Sequence, residues 1–274
     1  MRPIALFFLL VPIILIGSEV SDIRPLKVLF IGNSYTAWHT LPEIVAQMAH
    51  SKGKRLYYEM HAPGGRTFEK HWNEGVAQEK IQHKRWDYVM FQNQSFEPVY
   101  APENMRLYGR QLAELVHESG ATNVYFVTWA YARERDFIKE NPEYRRLYVD
   151  MQARLNAGYG ALAKEVNGLL CPVGPAWKVF RERYPEVELH HTDASHASPK
   201  GAYLSALMMY RVLFDEEVED MPGTVYPYLD GESFERWGED IKIETTMRAT
   251  MEALVNEVVS AQADIFRNKS TARD

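Results

Sequence analysis

The chain has 274 residues, 46% hydrophobic and 25% charged, with a formal net charge of −6. This is an ordinary globular composition, long enough for one sizeable core, with no linker-like, low-complexity or repeated block to divide it. The acidic balance and the lack of a basic run argue against nucleic acid or an anionic membrane surface as a partner.

Met1-Arg2 leads through Pro3 into the apolar run Ile4–Ile16, closed by Gly17-Ser18. A basic start, a short apolar stretch and small residues form the pattern of a secretory signal, which places residues 1–20 as a leader and the protein in the periplasm or the medium. The run is shorter than the roughly 18 residues that suggest a spanning helix. The alternative is an uncleaved segment that tethers the chain to a membrane; with cleavage, no stable membrane partner is expected. Cys171 is the only cysteine, so no intrachain disulfide can form, and its setting in "GLLCPVG" reads as a buried hydrophobe.

Beyond the leader, strands and helices alternate. Lys27–Ile31 reads as a strand, Leu41–Ser51 as a helix with Pro42 in its first turn, and Arg55–Met60 as a second strand. Phe68–His83 reads as one helix, Tyr88–Gln92 as a strand, and Pro102–Ser119 as a helix closed by Gly120. Asn123–Trp129 is strand-like, Glu143–Val166 a long helix weakened at Gly158 and Gly160, and Leu169–Val173 the last clear strand. Pro199–Phe214 and Ile241–Phe266 read as two further helices. Short β-rich runs separated by helices predict a parallel sheet with helices on both faces, whose ligands sit beyond the carboxyl ends of the strands. We expect an α/β domain over residues 25–215 and a C-terminal extension, 216–274, packed on it.

The polar residues that follow those strands carry the functional argument. An apolar run ends abruptly in "GNSYT", which exposes Ser34 at a strand tip. A serine hydroxyl is inert until a base takes its proton. His196 in "HHTDASHASPKG" has the best context of the nine histidines, with Asp193 three residues before it and a helix start at Ser198-Pro199 behind it. D-x-x-H alone is a weak pattern that also fits plain loop residues. The set His190, His191, Asp193 and His196 lacks the spacing of a metal site, so neither metal nor cofactor is expected. Trp38, Trp72, Phe96, Trp129 and Tyr131 fall near strand ends and offer faces for sugar rings or for packing. Arg66 could meet an anionic substrate group. Arg133, Glu134, Arg135 and Asp136 alternate in sign and read as a solvated segment.

Taken together, "IGNSYT", "APGGRTF" and "DASH" followed by "SPKGAYLSA" resemble, in family order, three blocks of the SGNH (GDSL-like) hydrolases. The resemblance implies a flavodoxin-like three-layer α/β/α sandwich with a parallel central sheet. It also implies a catalytic triad of Ser34, Asp193 and His196. For the oxyanion hole it implies the N–H groups of Ser34 and Gly65 (alternative Gly64) with a side-chain amide. The family's Gly-x-Asn-Asp block is replaced by "QNQSFEP", so that amide falls to Gln94, as in a variant subgroup with Gln in the Asn role, or to Asn93. Arg66, Trp129 and Tyr131 are the substrate-binding candidates. Serine 34 lies in no G-x-S-x-G elbow, which separates the chain from the α/β-hydrolases. The expected activity is that of an exported serine esterase acting on small O-acyl esters, acetyl among them, on small molecules or glycans. A non-catalytic glycan-binding module of the same fold and an O-acyltransferase are the alternatives. Oligomeric state is not legible.

Overall fold

A computed structural model describes residues 24–227 and 240–261. The expected leader, residues 1–20, and the far end of the last expected helix lie outside these described residues.

Five strands, β1 (Leu26–Ile31), β2 (Leu56–His61), β3 (Tyr88–Phe91), β4 (Thr122–Phe126) and β5 (Leu169–Cys171), form one sheet in the order β2-β1-β3-β4-β5. Every pairing in it is parallel. A parallel sheet is covered on both faces, so its inner strands are largely apolar without alternation, whereas the edge strand β2 carries Glu59 and His61 and is only partly buried. Val28, Leu29, Phe30 and Ile31 are all fully buried, as are Val124, Tyr125 and Phe126. The order reverses between β1 and β3, and a crevice opens at such a switch point beyond the carboxyl ends.

The connections supply the outer layers. On one face α2 (Leu41–Ser51) packs against α11 (Pro199–Phe214). On the other lie α4 (Val76–His83), α6 (Pro102–Glu118) and α9 (Met151–Glu165). Short helices fill the loops: α1 (Ser34–Ala37), α3 (Phe68–Glu74), α5 (Glu97–Tyr100), α7 (Asp136–Lys139) and α8 (Pro142–Tyr148). α10 (Val173–Arg183) leads from the last strand of the sheet towards α11. The three-layer α/β/α architecture is the one expected.

Several boundaries differ for local reasons. The expected helix Phe68–His83 is two, because Gly75 sits at φ 79° and ends α3. The long helix Glu143–Val166 also breaks, at Val149-Asp150 rather than at Gly158 or Gly160. Gly158 is held inside α9 by close packing, with Pro98 O about 3.3 Å from where a Cβ would stand. α10 was not expected from "VGPAWKVFRER", yet its proline lies in the first turn, where no N–H is needed.

The C-terminal part packs on the same body. α12 (Thr245–Ala261) lies against α10 and α11 through buried Met251, Leu254, Val255 and Val258. Asn256 holds both the N–H and the C=O of Val218, and Glu252 accepts from the Met221 N–H. Ahead of it, β6 (Thr224–Val225) pairs antiparallel with β7 (Ile241–Lys242), so the expected helix Ile241–Phe266 starts later, at Thr245, and its first residues are strand.

Candidate active site

Ser34 is the first residue of α1, immediately past the carboxyl end of β1. The chain turns there because four side chains brace it. Asn33, extended at φ −143°, accepts from the Tyr35 N–H and donates through Nδ2 to Arg66 O at 3.0 Å. Gln92, at the end of β3, accepts from the Asn33 N–H at 2.9 Å and from Thr36 Oγ1 at 3.0 Å. His71 donates from Nε2 to Gly32 O at 2.8 Å, because a carbonyl only accepts. Gly32 has no substitute here: a Cβ would stand 2.3 Å from Thr36 Oγ1 and 2.8 Å from Gln92 Oε1. The result is a half-buried Ser34 whose N–H has no acceptor among the described residues.

The loop before α11 brings the other two groups to it. One oxygen of Asp193 accepts from the N–H groups of Ser195 (2.9 Å) and His196 (3.0 Å). That folds the chain back, so the other oxygen meets His196 Nδ1 at 2.6 Å. Ala194 completes the turn at φ 62°, a conformation that costs an L-residue on the order of 1 kcal/mol. The three-residue spacing of D-x-x-H is thus what lets one carboxylate both shape the loop and hold the ring. The free nitrogen, His196 Nε2, lies 2.9 Å from Ser34 Oγ. Burial would raise the Asp193 carboxyl, but the bond to His196 and the two N–H groups outweigh it and hold it at about 2. Behind the loop, a His190–Ala197 bridge and the Ser198 cap of α11 close its base.

Aromatic rings fix the imidazole from two sides. Trp38 stacks on His196 with centroids 4.6 Å apart, and Tyr35 meets it edge-on at 5.4 Å. Tyr35 also bonds Ser195 Oγ at 2.7 Å, tying the serine's turn to the Asp193–His196 loop.

The side-chain amides separate cleanly. Asn93 is fully buried: Oδ1 accepts from Phe68 N, and Nδ2 donates to Glu97 Oε2 at 2.7 Å. Gln94 is half-buried, and its Oε1 accepts from both Phe96 N and Glu97 N at 2.8 Å. Those two donors fix which way the amide points, so its NH₂ faces away from α5 with only a long 3.5 Å contact to Ser95 Oγ. Of the two amides, Gln94 alone has an NH₂ that is not fully buried. Gly64 and Gly65 are both exposed. Gly65 turns the chain at φ 66°, and its N–H has no acceptor among the described residues. The bond from Asn33 to Arg66 O anchors this loop beside the serine's turn.

Of the three substrate-binding candidates, Trp129 and Tyr131 are buried, and Arg66 lies beside the serine's turn. Trp129 is 1% exposed, sandwiched between Tyr35 (4.7 Å) and Trp177 (3.9 Å), with Nε1 donating to Ser195 O. Both its faces are covered, so it packs against the Asp193–His196 loop and offers no platform. Tyr131 is likewise buried, its hydroxyl on Ser95 Oγ at 2.7 Å. Arg66 is paired with Glu74 at 2.8 Å. His190 is buried with Nε2 on Ala130 O, and burial holds it neutral down to about pH 4. His191 lies against Trp38 at 5.4 Å. Cys171 is fully buried, which pushes its thiol up. The sequence reading missed Gln92, His71 and Tyr35; a glutamine closing the apolar run of β3 was the one visible signal.

No protein-family model matches the chain, and no curated protein matches it. Solved structures do. A protein assigned as an SGNH hydrolase from Slackia heliotrinireducens aligns with 24% identity and a TM-score of 0.59, over 69% of this chain and 98% of its own. A DUF4886 family protein from Bacteroides uniformis aligns at 16% identity and a TM-score of 0.65, over 91% and 98%. Its overlap is long enough to reach past the sheet domain into the C-terminal part. The acetyl xylan esterase AlAXEase aligns at 15% identity and a TM-score of 0.52, over 67% and 98%.

Proposed function

We propose that this chain, which has the fold of the SGNH hydrolases, is a serine esterase that cleaves small O-acyl esters. The observation that carries the reading is the line of contacts from Ser34 Oγ through His196 to Asp193, at 2.9 and 2.6 Å. An acid, an imidazole and a hydroxyl in that order constitute an activated nucleophile whatever their sequence positions.

In the mechanism, His196 Nε2 takes the Ser34 proton as Oγ attacks the ester carbonyl. Asp193, ionised down to about pH 2, fixes the tautomer with the proton on Nδ1 and stabilises the imidazolium. The Trp38 face stacked on the ring favours the same charged state. The N–H groups of Ser34 and Gly65 and the Nε2 amide of Gln94 receive the oxyanion, a kind of stabilisation worth several kcal/mol. His196 then gives its proton to the departing alcohol. Water, deprotonated by the same imidazole, attacks the acyl-serine and frees the acid and Ser34.

The acyl group assigned is acetyl and the alcohol a glycan hydroxyl, in keeping with the acetyl xylan esterase among the structural neighbours. Export rests on the leader pattern in residues 1–20. The test is acetate release from aryl acetates and acetylated oligosaccharides. Turnover by the wild type that Ser34→Ala abolishes supports the reading. Glycan binding without turnover of any ester would favour the binding module instead, and acetyl appearing on an added sugar acceptor would favour the transferase.

A further inference from the structure

The three parts of the proposed site have a common neighbour away from the reacting atoms. Beside each stands a residue with a buried hydroxyl, and the hydroxyls meet. Tyr35 follows Ser34, Ser95 follows Gln94, and Ser195 lies between Asp193 and His196. With Tyr131, on the loop after β4, they are each at most 7% exposed. The Tyr35 hydroxyl is bonded to Ser195 Oγ at 2.7 Å and faces Ser95 as well, and Ser95 Oγ is bonded to the Tyr131 hydroxyl at 2.7 Å. Neither serine is spent on its own backbone. Ser51, Ser119, Ser198 and Ser205 all donate to main-chain carbonyls, a common local use of this side chain. Among the described residues the hydroxyls of Ser95 and Ser195 meet side chains alone. The turn at Asp193 uses the Ser195 N–H, which an alanine would supply equally. An enclosed hydroxyl is costly without a partner, so these two are explained by each other's company and by the phenols. Burial pushes the Tyr35 phenol well up and that of Tyr131 to about 12, so both stay protonated while an imidazole titrates. The cluster is therefore a fixed scaffold and no proton relay.

We infer that Tyr35, Ser95 and Ser195 are positioning residues for the ester cleavage: their hydroxyls form one buried hub that holds the nucleophile, the oxyanion amide and the base at working distance from one another. The inference rests on the esterase reading for what those three parts do. The bond between Ser34 Oγ and His196 is given up in each turnover, when the oxygen becomes acylated, so the two segments need a tie that persists. The Tyr35–Ser195 bond, one residue along from each, is such a tie. A displacement of about 1 Å between reacting groups can cost on the order of a hundredfold in rate, so the hub acts on kcat and not on substrate affinity.

The experiment follows the full chain and its variants by kcat and KM on 4-nitrophenyl acetate, by thermal denaturation, and by the proton resonance of His196 Nδ1–H, assigned by its absence in His196→Gln. Tyr35→Phe removes one hydroxyl and keeps the ring's stack on Trp129; Ser95→Ala and Ser195→Ala remove the others. Tyr203→Phe is the control, a buried phenol that donates to Pro222 O in the C-terminal part. Each hub variant should lower kcat by about tenfold to a hundredfold, with KM within about threefold of wild type. Tyr35→Phe combined with Ser195→Ala should lose about as much as the worse of the two alone, because both cut one link. The His196 resonance should move in both, since the loop that sets its bond to Asp193 is released. Tyr203→Phe should lower the melting temperature and leave kcat and the resonance at their wild-type values. Hub variants that keep kcat within about threefold, or a resonance that stays put, would overturn the inference. So would a loss of kcat in Tyr203→Phe as large as theirs, which would make the effect that of any buried hydroxyl. A wild type that cleaves no ester, with a resonance that moves in the hub variants and not in the control, would sink the esterase reading and leave the hub standing.

Discussion

Gln94→Glu separates the proposed oxyanion role from a purely structural one. Oε1 of Gln94 caps α5 by accepting from Phe96 N and Glu97 N at 2.8 Å, and only Nε2 is left to face an oxyanion. Glutamate is nearly isosteric and keeps an oxygen where the cap needs it, but it replaces the donor with a second acceptor. Losing one of three oxyanion donors costs roughly 3 kcal/mol of barrier, or about 150-fold in kcat, and the carboxylate's charge adds to that. Because the cap survives, the melting temperature should move little. Gln94→Ala removes the cap as well and should cost about 1 kcal/mol of stability besides. The assay is steady-state hydrolysis of 4-nitrophenyl acetate alongside thermal denaturation. A Gln94→Glu enzyme that folds normally and keeps kcat within about threefold of wild type would refute the assignment of this amide.

Asp193→Asn keeps the acceptor that shapes the loop but turns an NH₂ towards His196 Nδ1, which selects the wrong tautomer. It should lower kcat by about 10³–10⁴ with the fold intact, as read by turnover and circular dichroism. Gly32→Ala sets a Cβ 2.3 Å from Thr36 Oγ1, so it should destabilise by about 1–3 kcal/mol in denaturant titration and impair turnover by displacing Ser34. Burial lowers both His71 and His190 to about 4, against about 6.5 in the unfolded chain. Between those pH values the unfolded state binds protons that the folded state does not, so stability should fall as pH drops from about 6.5 to 4, by up to about 3 kcal/mol per histidine. His39 and His61 are lowered too and add to the slope, so His71→Gln should reduce it without abolishing it in urea titrations run across the same pH range.

The parallel sheet was legible because β1 and β3 are short uninterrupted apolar runs separated by helical segments; the strand order depends on long-range pairing and was not read from the sequence. Ser34, Asp193 and His196 stood out because each sits in a short local pattern: a strand tip, a D-x-x-H loop and a capped helix start. Gln92 and His71 did not, since their roles depend on partners 59 and 39 residues away, which no local pattern encodes. Trp129 looked like a binding surface because strand-end aromatics do in sequence; Tyr35 and Trp177, far from it along the chain, close over both its faces. The alternating charges of 133–136 face solvent as their pattern suggests, with Arg133 and Asp136 exposed, but the pattern did not show that the segment is also anchored. Three hydrogen bonds, from Ala132 N, Arg133 and Arg135 to the carbonyls of residues 192–194, hold it against the loop that carries Asp193 and His196.

The most direct measurement is covalent labelling by a fluorophosphonate, followed by peptide mass spectrometry of the full chain and of Ser34→Ala. The account predicts a single adduct on Ser34 in the wild type and none in the variant. Phosphonylation of a different residue, or equal labelling of both proteins, would contradict it.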